Sequence, residues 1–304
     1  MAVGAVLALA ACGGTPGNQA GAATGGKLAV VATTPEVADF VRTIGADEVA
    51  VTQIIKPNVD PHDYEPTPAD LQAIGAAKVV VKNGVGLEKW LDQTIESAGF
   101  DGSVVDSSQG VALRQGDPGD EEMADGDPHI WHNPVNAKIM VSNIEKGLAA
   151  ADPGHAQTFA KNLAAYSSQL DQLDSANQAA WAKVPVDQRK LVTNHDAFGY
   201  YVDRYQLDFV GSVIPSMDTS AELSARQLQN LVAKIKATGT RAIFTESSLP
   251  PKTAEAIAQQ AGVQVVGGEN ALYGDSLGAP GTPQGTYLGA EQHNTETLVA
   301  ALGG

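Results

Sequence analysis

The histidines of this 304-residue chain are the side chains best suited to chemistry, and two of them follow predicted strands. His62 comes after a strand of alternating apolar residues, and His195 directly follows another short apolar strand. In an open parallel α/β sheet, the loops after the carboxyl ends of the strands converge and bind ligands. His62 and His195 therefore occupy positions where a ligand site is expected. His129 lies on a loop just before a predicted helix.

The other three histidines carry weaker signals. His132 precedes Asn133 and Pro134, so it is interpreted either as a group behind a site or as part of a helix cap. His155 and His293 fall on or beside predicted helices with polar neighbours, and both are predicted to face solvent.

Short apolar strands alternate with helices along the body of the chain, which predicts an α/β fold with parallel sheets in two halves. Thr34 and Thr67 each precede a proline, which is typical of a capped helix start. The predicted strands are 27–33, 48–55, 78–83, 103–108, 190–194, 208–213, 240–246 and 263–268. The predicted helices include 35–45, 67–77, 86–99, one from 134, 197–205, 222–238, one from 251 and one from 291.

One helical pattern is much longer than the others. Between residues 157 and 184, apolar side chains recur at steps of three and four, which places them on one face of a single helix. At a rise of ~1.5 Å per residue, this helix is ~40 Å long. The alternatives are an ordinary surface helix and a rigid connection between two lobes, and the length favours the connection.

Composition limits the possible functions. Lys and Arg number 19 and Asp and Glu number 35, giving a formal net charge of −16. This charge argues against nucleic acid as a partner, because binding phosphates requires a basic surface. A content of 43% hydrophobic and 18% charged residues is typical of a globular protein. The single cysteine, Cys12, excludes an intramolecular disulfide and a cysteine-rich zinc site.

Cys12 ends an N-terminal run of small and apolar residues, with Leu9-Ala10-Ala11 immediately before it. The run is too short to span a bilayer, which takes ~20 residues. It has the layout of a secretory signal and resembles a bacterial lipobox, in which the cysteine is lipidated. Residues 1–12 are therefore predicted to be a signal peptide with a lipidation site at Cys12. The Gly- and Ala-rich residues 13–26 are predicted to be a flexible tether.

Four local motifs stand in the order seen in one protein family. They are DPHDYEP with His62, DPHIWHNP with His129, TNHDAFGYY with His195 and LYGDSLG with Asp275. With these motifs, the lipobox and the long helix, the chain resembles the zinc- and manganese-binding lipoproteins of bacterial ABC metal importers over residues 27–304.

The resemblance implies a monomeric, extracytoplasmic protein that is anchored to the cell membrane and is not an enzyme. It further implies a metal site between two lobes, with His62 and His129 from one lobe and His195 and Asp275 from the other. The expected division is an N-terminal lobe 27–156, a linking helix 157–184 and a C-terminal lobe 185–304. The expected partners are the permease and the ATPase of the importer.

Three imidazoles and one carboxylate suit Zn²⁺ and leave no obligatory open position for an activated water. Mn²⁺ is the alternative metal. A zinc hydrolase would need a general base, for which Glu65 and Glu246 are candidates, although each can equally support backbone or site. A surface adhesin or scavenging lipoprotein without a transporter is a further alternative, because a fold does not determine function.

Two loops differ in composition from the rest of the chain. Residues 117–127 contain six acidic residues and are predicted to be a solvated loop, with a cation-attracting antechamber as the alternative. Residues 267–286 are rich in Gly and Pro and carry Asp275, which predicts a mobile segment.

Overall fold

The structure is a computed structural model that describes residues 1, 26–115, 125–219 and 224–303. Cys12, the segment 13–25 and residues 117–124 of the acidic loop lie outside these ranges. Strands β1–β8 are Leu28–Ala32, Val49–Gln53, Val79–Lys82, Ser103–Asp106, Lys190–Thr193, Asp208–Ser212, Ala242–Phe244 and Gln264–Val266. Helices α1–α9 are Pro35–Gly45, Pro68–Ala76, Leu91–Ala98, Pro134–Ala151, Ala156–Trp181, Gly199–Tyr205, Ala225–Thr238, Lys252–Ala261 and Tyr287–Leu302.

The first four strands form one parallel sheet in the order β2-β1-β3-β4. Val30 at its centre pairs with Val51 on one side and with Val79 on the other. The valines of β3 are buried, as expected for a parallel strand covered on both faces. The loops that leave the carboxyl ends of these strands therefore meet at one edge of the sheet.

The second half contains two parallel ladders, β5-β6 and β7-β8. Strands β5 and β7 contact each other, so the two ladders lie next to one another. A single parallel bridge between Glu246 and Leu272 continues the pairing beyond β7 and β8. This bridge brings the segment that carries Asp275 to the end of β7. The prediction of an α/β fold with parallel sheets is confirmed.

Two predicted helix starts are wrong. Helix α3 begins at Leu91 rather than near residue 86, because Gly84, Val85 and Gly86 have positive φ angles of 94°, 54° and 70°, which a right-handed helix excludes. Helix α9 begins at Tyr287, four residues before the predicted position. Thr286 caps this start, because its side chain accepts a hydrogen bond from the backbone N–H of Gly289. The capped starts at Thr34 and Thr67 are confirmed.

The long helix is α5, which has 26 residues and ends at Trp181. The predicted end at residue 184 is three residues too late, since Pro185 disfavours helical geometry in the residue before it. Phe159, Tyr166 and Leu170 pack in the core around the first sheet, whereas Trp181 packs in the core beside β5 and β7. Helix α5 therefore spans both cores.

Helix α9 also contacts both cores, which the sequence pattern did not predict. Tyr287 at its start is buried in the first core, and Leu298 and Leu302 are buried in the second. The two helices pack against each other, so the halves are joined by a pair of helices. Among the described residues, no helix is both long and apolar enough to cross a membrane. We propose the division into lobes 27–156 and 185–304 on either side of the linking helix.

Candidate metal centre

The structure brings His62, His129, His195 and Asp275 together, with ligand atoms that all lie within 4.8 Å of one another. His62 lies on the loop between β2 and α2, and His129 immediately precedes a 3-10 turn before α4. His195 follows β5, and Asp275 lies in the segment between β8 and α9. Each half of the chain supplies two of the four groups. All four side chains are at most 4% exposed.

Four of the distances between these atoms are close to those expected around a tetrahedrally coordinated ion. Nε2 of His195 lies 3.0 Å from Oδ2 of Asp275, and Nε2 of His62 lies 3.3 Å from the same oxygen. Nε2 of His129 lies 3.4 Å from Oδ1 of Asp275 and 3.3 Å from Nε2 of His62. Zinc bonds of 2.0–2.1 Å place the ligands of a tetrahedron about 3.3 Å apart.

The same groups lack satisfactory partners of their own. Nε2 of His195 and both carboxylate oxygens of Asp275 are buried and, apart from the other groups of the cluster, have no hydrogen-bond partner within the described part of the chain. Buried polar atoms without partners cost free energy, and a cation between them would remove that cost. The donor set and its spacing therefore suit a divalent metal.

A carboxylate stands behind His129. Nδ1 of His129 lies 2.9 Å from Oδ1 of Asp127, which leaves Nε2 of the same ring to face the cluster. Burial lowers the pKa of His129, so the ring is ready to bind a metal in its neutral form. Burial alone would raise the pKa of Asp127. Hydrogen bonding to His129 and the charge of Arg114 nevertheless hold this pKa below its usual value. Arg114 Nη1 lies 2.8 Å from Oδ2 of Asp127.

Glu246 stands behind the ring of His195, as Asp127 stands behind that of His129. Its carboxylate lies 2.9 Å from Nδ1 of His195, and it also accepts the backbone N–H of His195. Burial opposes protonation of His195, but Glu246 and Asp275 outweigh it and raise the pKa of the ring well above its usual value. Glu246 therefore supports the site, as the sequence allowed, while Glu65 is exposed.

Asp275 is held from several sides. Trp131 donates from Nε1 to the carbonyl of Gly274 over 3.1 Å, and Asn294 bonds both backbone groups of Tyr273. A Cβ at Gly274 would collide with the carboxylate of Glu246, so only glycine allows this close approach. Burial alone would raise the pKa of Asp275, but His195 and His129 lower it well below its usual value. This burial and bonding differ from the mobile segment that its composition predicts.

The remaining histidines take other roles. His132 lies outside the cluster, buried against Phe198, and its Nδ1 is 2.7 Å from Oε1 of Glu291. His155 is partly exposed and pairs with Asp152. His293 is half-buried and bonds the carbonyl of Ala271, so its predicted exposure to solvent is wrong.

Asp127 is a functional residue that its sequence pattern does not reveal, because it falls within the predicted solvated acidic loop. Asp127 is fully buried, although it ends a run of acidic residues. The available signal was its place in Asp-Pro-His, since Asp60-Pro61-His62 repeats the same three residues. In both segments the aspartate Oδ1 accepts the backbone N–H of the histidine over 3.0 Å.

Comparison with known proteins gives one consistent answer. Residues 30–301 match the family model described as the periplasmic component A of the zinc-uptake complex, ZnuA. The chain is 36% identical to the zinc-binding protein TroA of Treponema pallidum over 92% of this chain and 91% of that protein. It is 33% identical to the manganese-binding lipoprotein MntA of Bacillus subtilis over 98% of this chain and 96% of that protein.

A solved structure of the periplasmic zinc-binding protein TroA from Treponema pallidum superimposes with a TM-score of 0.84 at 34% identity, covering 91% of this chain and 99% of that one. The family model, the relatives and the fold all indicate the same family. The chain therefore belongs to the ZnuA family of periplasmic metal-binding components of ABC transporters, which are solute-binding proteins and not enzymes.

Proposed function

We propose that the protein captures one Zn²⁺ outside the cytoplasmic membrane and delivers it to the permease of an ABC importer. The ligands are His62, His129, His195 and Asp275. The observation that carries this proposal is their buried cluster, in which the four ligand atoms lie within 4.8 Å of one another and the Asp275 oxygens face the ring nitrogens of the three histidines. Four protein ligands fill a tetrahedral shell, which suits holding an ion and not activating a water.

Zinc is the proposed metal because three imidazole ligands make the site softer than one built from carboxylates. Mn²⁺ is the second candidate, and the relatives support considering it: TroA is named for zinc, whereas MntA is named for manganese. A site that prefers Mn²⁺ would have more oxygen ligands and a larger coordination number.

The test is metal content and competition binding on a chain that starts at residue 26, purified without metal-chelating resin. We expect one zinc per chain, displaced by a chromophoric chelator but not by equimolar Mn²⁺. Alanine at any of the three histidines should strongly weaken zinc binding. Preferential retention of Mn²⁺ would replace zinc with manganese as the cargo, and a loss of affinity in His132→Ala equal to that in His129→Ala would contradict the ligand assignment.

The location and partners of the protein belong to the same proposal. We place a lipid anchor at Cys12, with residues 13–26 as the link to the folded body, so that a monomer works at the outer face of the membrane. The permease and the ATPase of the importer are the proposed partners. The family description names a periplasmic component, and MntA is named a lipoprotein, which supports this placement.

A further inference from the structure

The two Asp-Pro-His segments use their aspartates differently. Oδ1 of Asp127 accepts hydrogen bonds from both the backbone N–H and the ring Nδ1 of His129. Asp60 gives Oδ1 to the backbone N–H of His62, but its Oδ2 accepts the hydroxyl of Thr219 over 2.6 Å. Thr219 lies in the second half of the chain, between β6 and α7. Asp60 is therefore bonded to a ligand residue in one half and to a loop of the other half at the same time.

Further contacts fasten the same regions together. The backbone N–H of Asn58 donates to Oγ of Ser276 over 2.6 Å, directly beside Asp275. Lys89, on the loop before α3, pairs with Asp218 over 2.6 Å. The loop that carries His62 is thus bonded to the second half at two places. One is Ser276, next to Asp275, and the other is Thr219 in the β6–α7 loop.

His62 depends on these contacts more than the other ligands do on theirs. The rings of His129 and His195 each have a carboxylate behind Nδ1. The His62 ring meets His129 and Asp275 through Nε2, and no described side chain accepts a hydrogen bond from its Nδ1. Its loop also includes the exposed residue Val59. The position of this imidazole is therefore set by the loop backbone, which Asp60 holds.

We propose that Asp60 is a positioning residue for the metal, and that rupture of its hydrogen bond to Thr219 frees His62 when the ion leaves. This inference rests on the proposed function, because it concerns the same four ligands. With the bond intact, His62 completes the tetrahedral shell and its loop covers the four-residue cluster. With the bond broken, the loop can swing away and leave His129, His195 and Asp275 with an open coordination position.

The test is the rate of zinc dissociation from the full chain, measured by stopped flow against an excess of chromophoric chelator. Thr219→Val removes the hydroxyl but keeps the shape, and we expect dissociation about 10-fold faster, as for other partners of ligand residues. Thr219→Ser restores the hydroxyl and should return the rate to that of the wild type. Thr238→Val is the matched control, since within the described part of the chain the Thr238 hydroxyl bonds only groups near the end of α7.

A double-mutant cycle tests the partner. Asp60→Ala removes the acceptor and should also speed dissociation, and adding Thr219→Val should accelerate it little further, because the two residues share one bond. A zinc dissociation rate of Thr219→Val equal to that of the wild type would overturn the inference, and so would equally fast dissociation from the Val and Ser variants. Either result would leave the proposed zinc binding standing. A wild-type chain that takes up no metal would instead contradict the proposed function, and this inference with it.

Discussion

At the scale of single residues, the site combines two kinds of acidic group. Asp275 faces the cluster, whereas Asp127 and Glu246 stand behind the rings of His129 and His195. A carboxylate behind an imidazole selects the tautomer and makes the facing nitrogen a better metal ligand. The strength of the site therefore depends on residues that never touch the ion.

We predict that Asp127→Asn and Glu246→Gln each weaken zinc affinity by about 10- to 100-fold, which is the usual effect of losing such a partner. Both substitutions keep the size of the side chain and remove its charge. The measurement is competition with a chelator of known affinity. Asp203→Asn is the matched control, because Asp203 pairs with Arg114 from the exposed side. Its affinity should equal that of the wild type, and unchanged affinity in both test variants would contradict the prediction.

A second residue-scale prediction concerns Glu36, near the start of α1. Both of its carboxylate oxygens are buried and lack partners among the described residues, and burial raises its pKa from 4.5 to about 8. The native state therefore holds a proton that the unfolded chain loses above pH 4.5. The resulting stability is fully present below pH 4.5 and is lost as the pH rises to about 8.

The variant Glu36→Gln removes this titration. We expect the free energy of unfolding of the metal-free variant, relative to the wild type, to rise between pH 5 and pH 8 by up to roughly 1.4 kcal/mol per pH unit. Urea unfolding at a series of pH values, with chelator present, measures this difference. A constant difference across the range would show that Glu36 is ionised in the native state.

Site residues can be predicted from the sequence where their neighbours in the chain carry the signal. His62 and His195 follow strands, and the parallel sheet brings such loops together, so their convergence could be predicted. Asp127 could not be recognised in the same way, because composition averages it with the acidic residues before it. Its burial comes from Arg114, from Tyr200 and from the ring of His129, and Tyr200 lies far from it in the chain.

At the scale of elements, the halves are joined by two helices and not by one. The period of α5 and its length predicted a long helix, because both are local properties of the sequence. The bridging role of α9 depends on which core each end enters, and only tertiary packing decides this. With Tyr287 in the first core and Leu298 in the second, α9 doubles the connection made by α5.

This double connection leads to a prediction for hydrogen exchange. We expect the backbone amides of α5 to be protected from exchange with and without zinc. Hinge closure requires flexible connections, whereas two packed helices join these halves. Zinc should add most protection to residues 56–66, which carry His62, and less to residues 267–286, whose backbone is already bonded to Asn294 and Trp131. Exchange followed by mass spectrometry on apo and loaded protein measures both. Greater zinc-dependent protection in 267–286 would favour the mobility that its composition predicts.

At the scale of the whole molecule, the net charge bears on the proposed lipid anchor. The formal net charge is −16, and the sequence has no run of basic residues that could hold an anionic membrane. Attachment to the membrane would then depend on the lipid at Cys12. Two acyl chains anchor a protein stably, whereas one chain does not.

The last prediction follows from this dependence. Only 15 residues separate Cys12 from the start of β1 at Leu28, so a lipid on Cys12 would keep the folded body close to the membrane and the permease. We expect Cys12→Ser, expressed in the native host, to leave the membrane fraction or to retain residues 1–11, and to support growth on limiting zinc poorly. Purified Cys12→Ser should bind zinc as the wild type does, because Cys12 is remote in sequence from all four ligands. Fractionation, N-terminal mass analysis and growth in chelator-treated medium test this together. Wild-type protein recovered from the cytosol with residues 1–11 intact would contradict it.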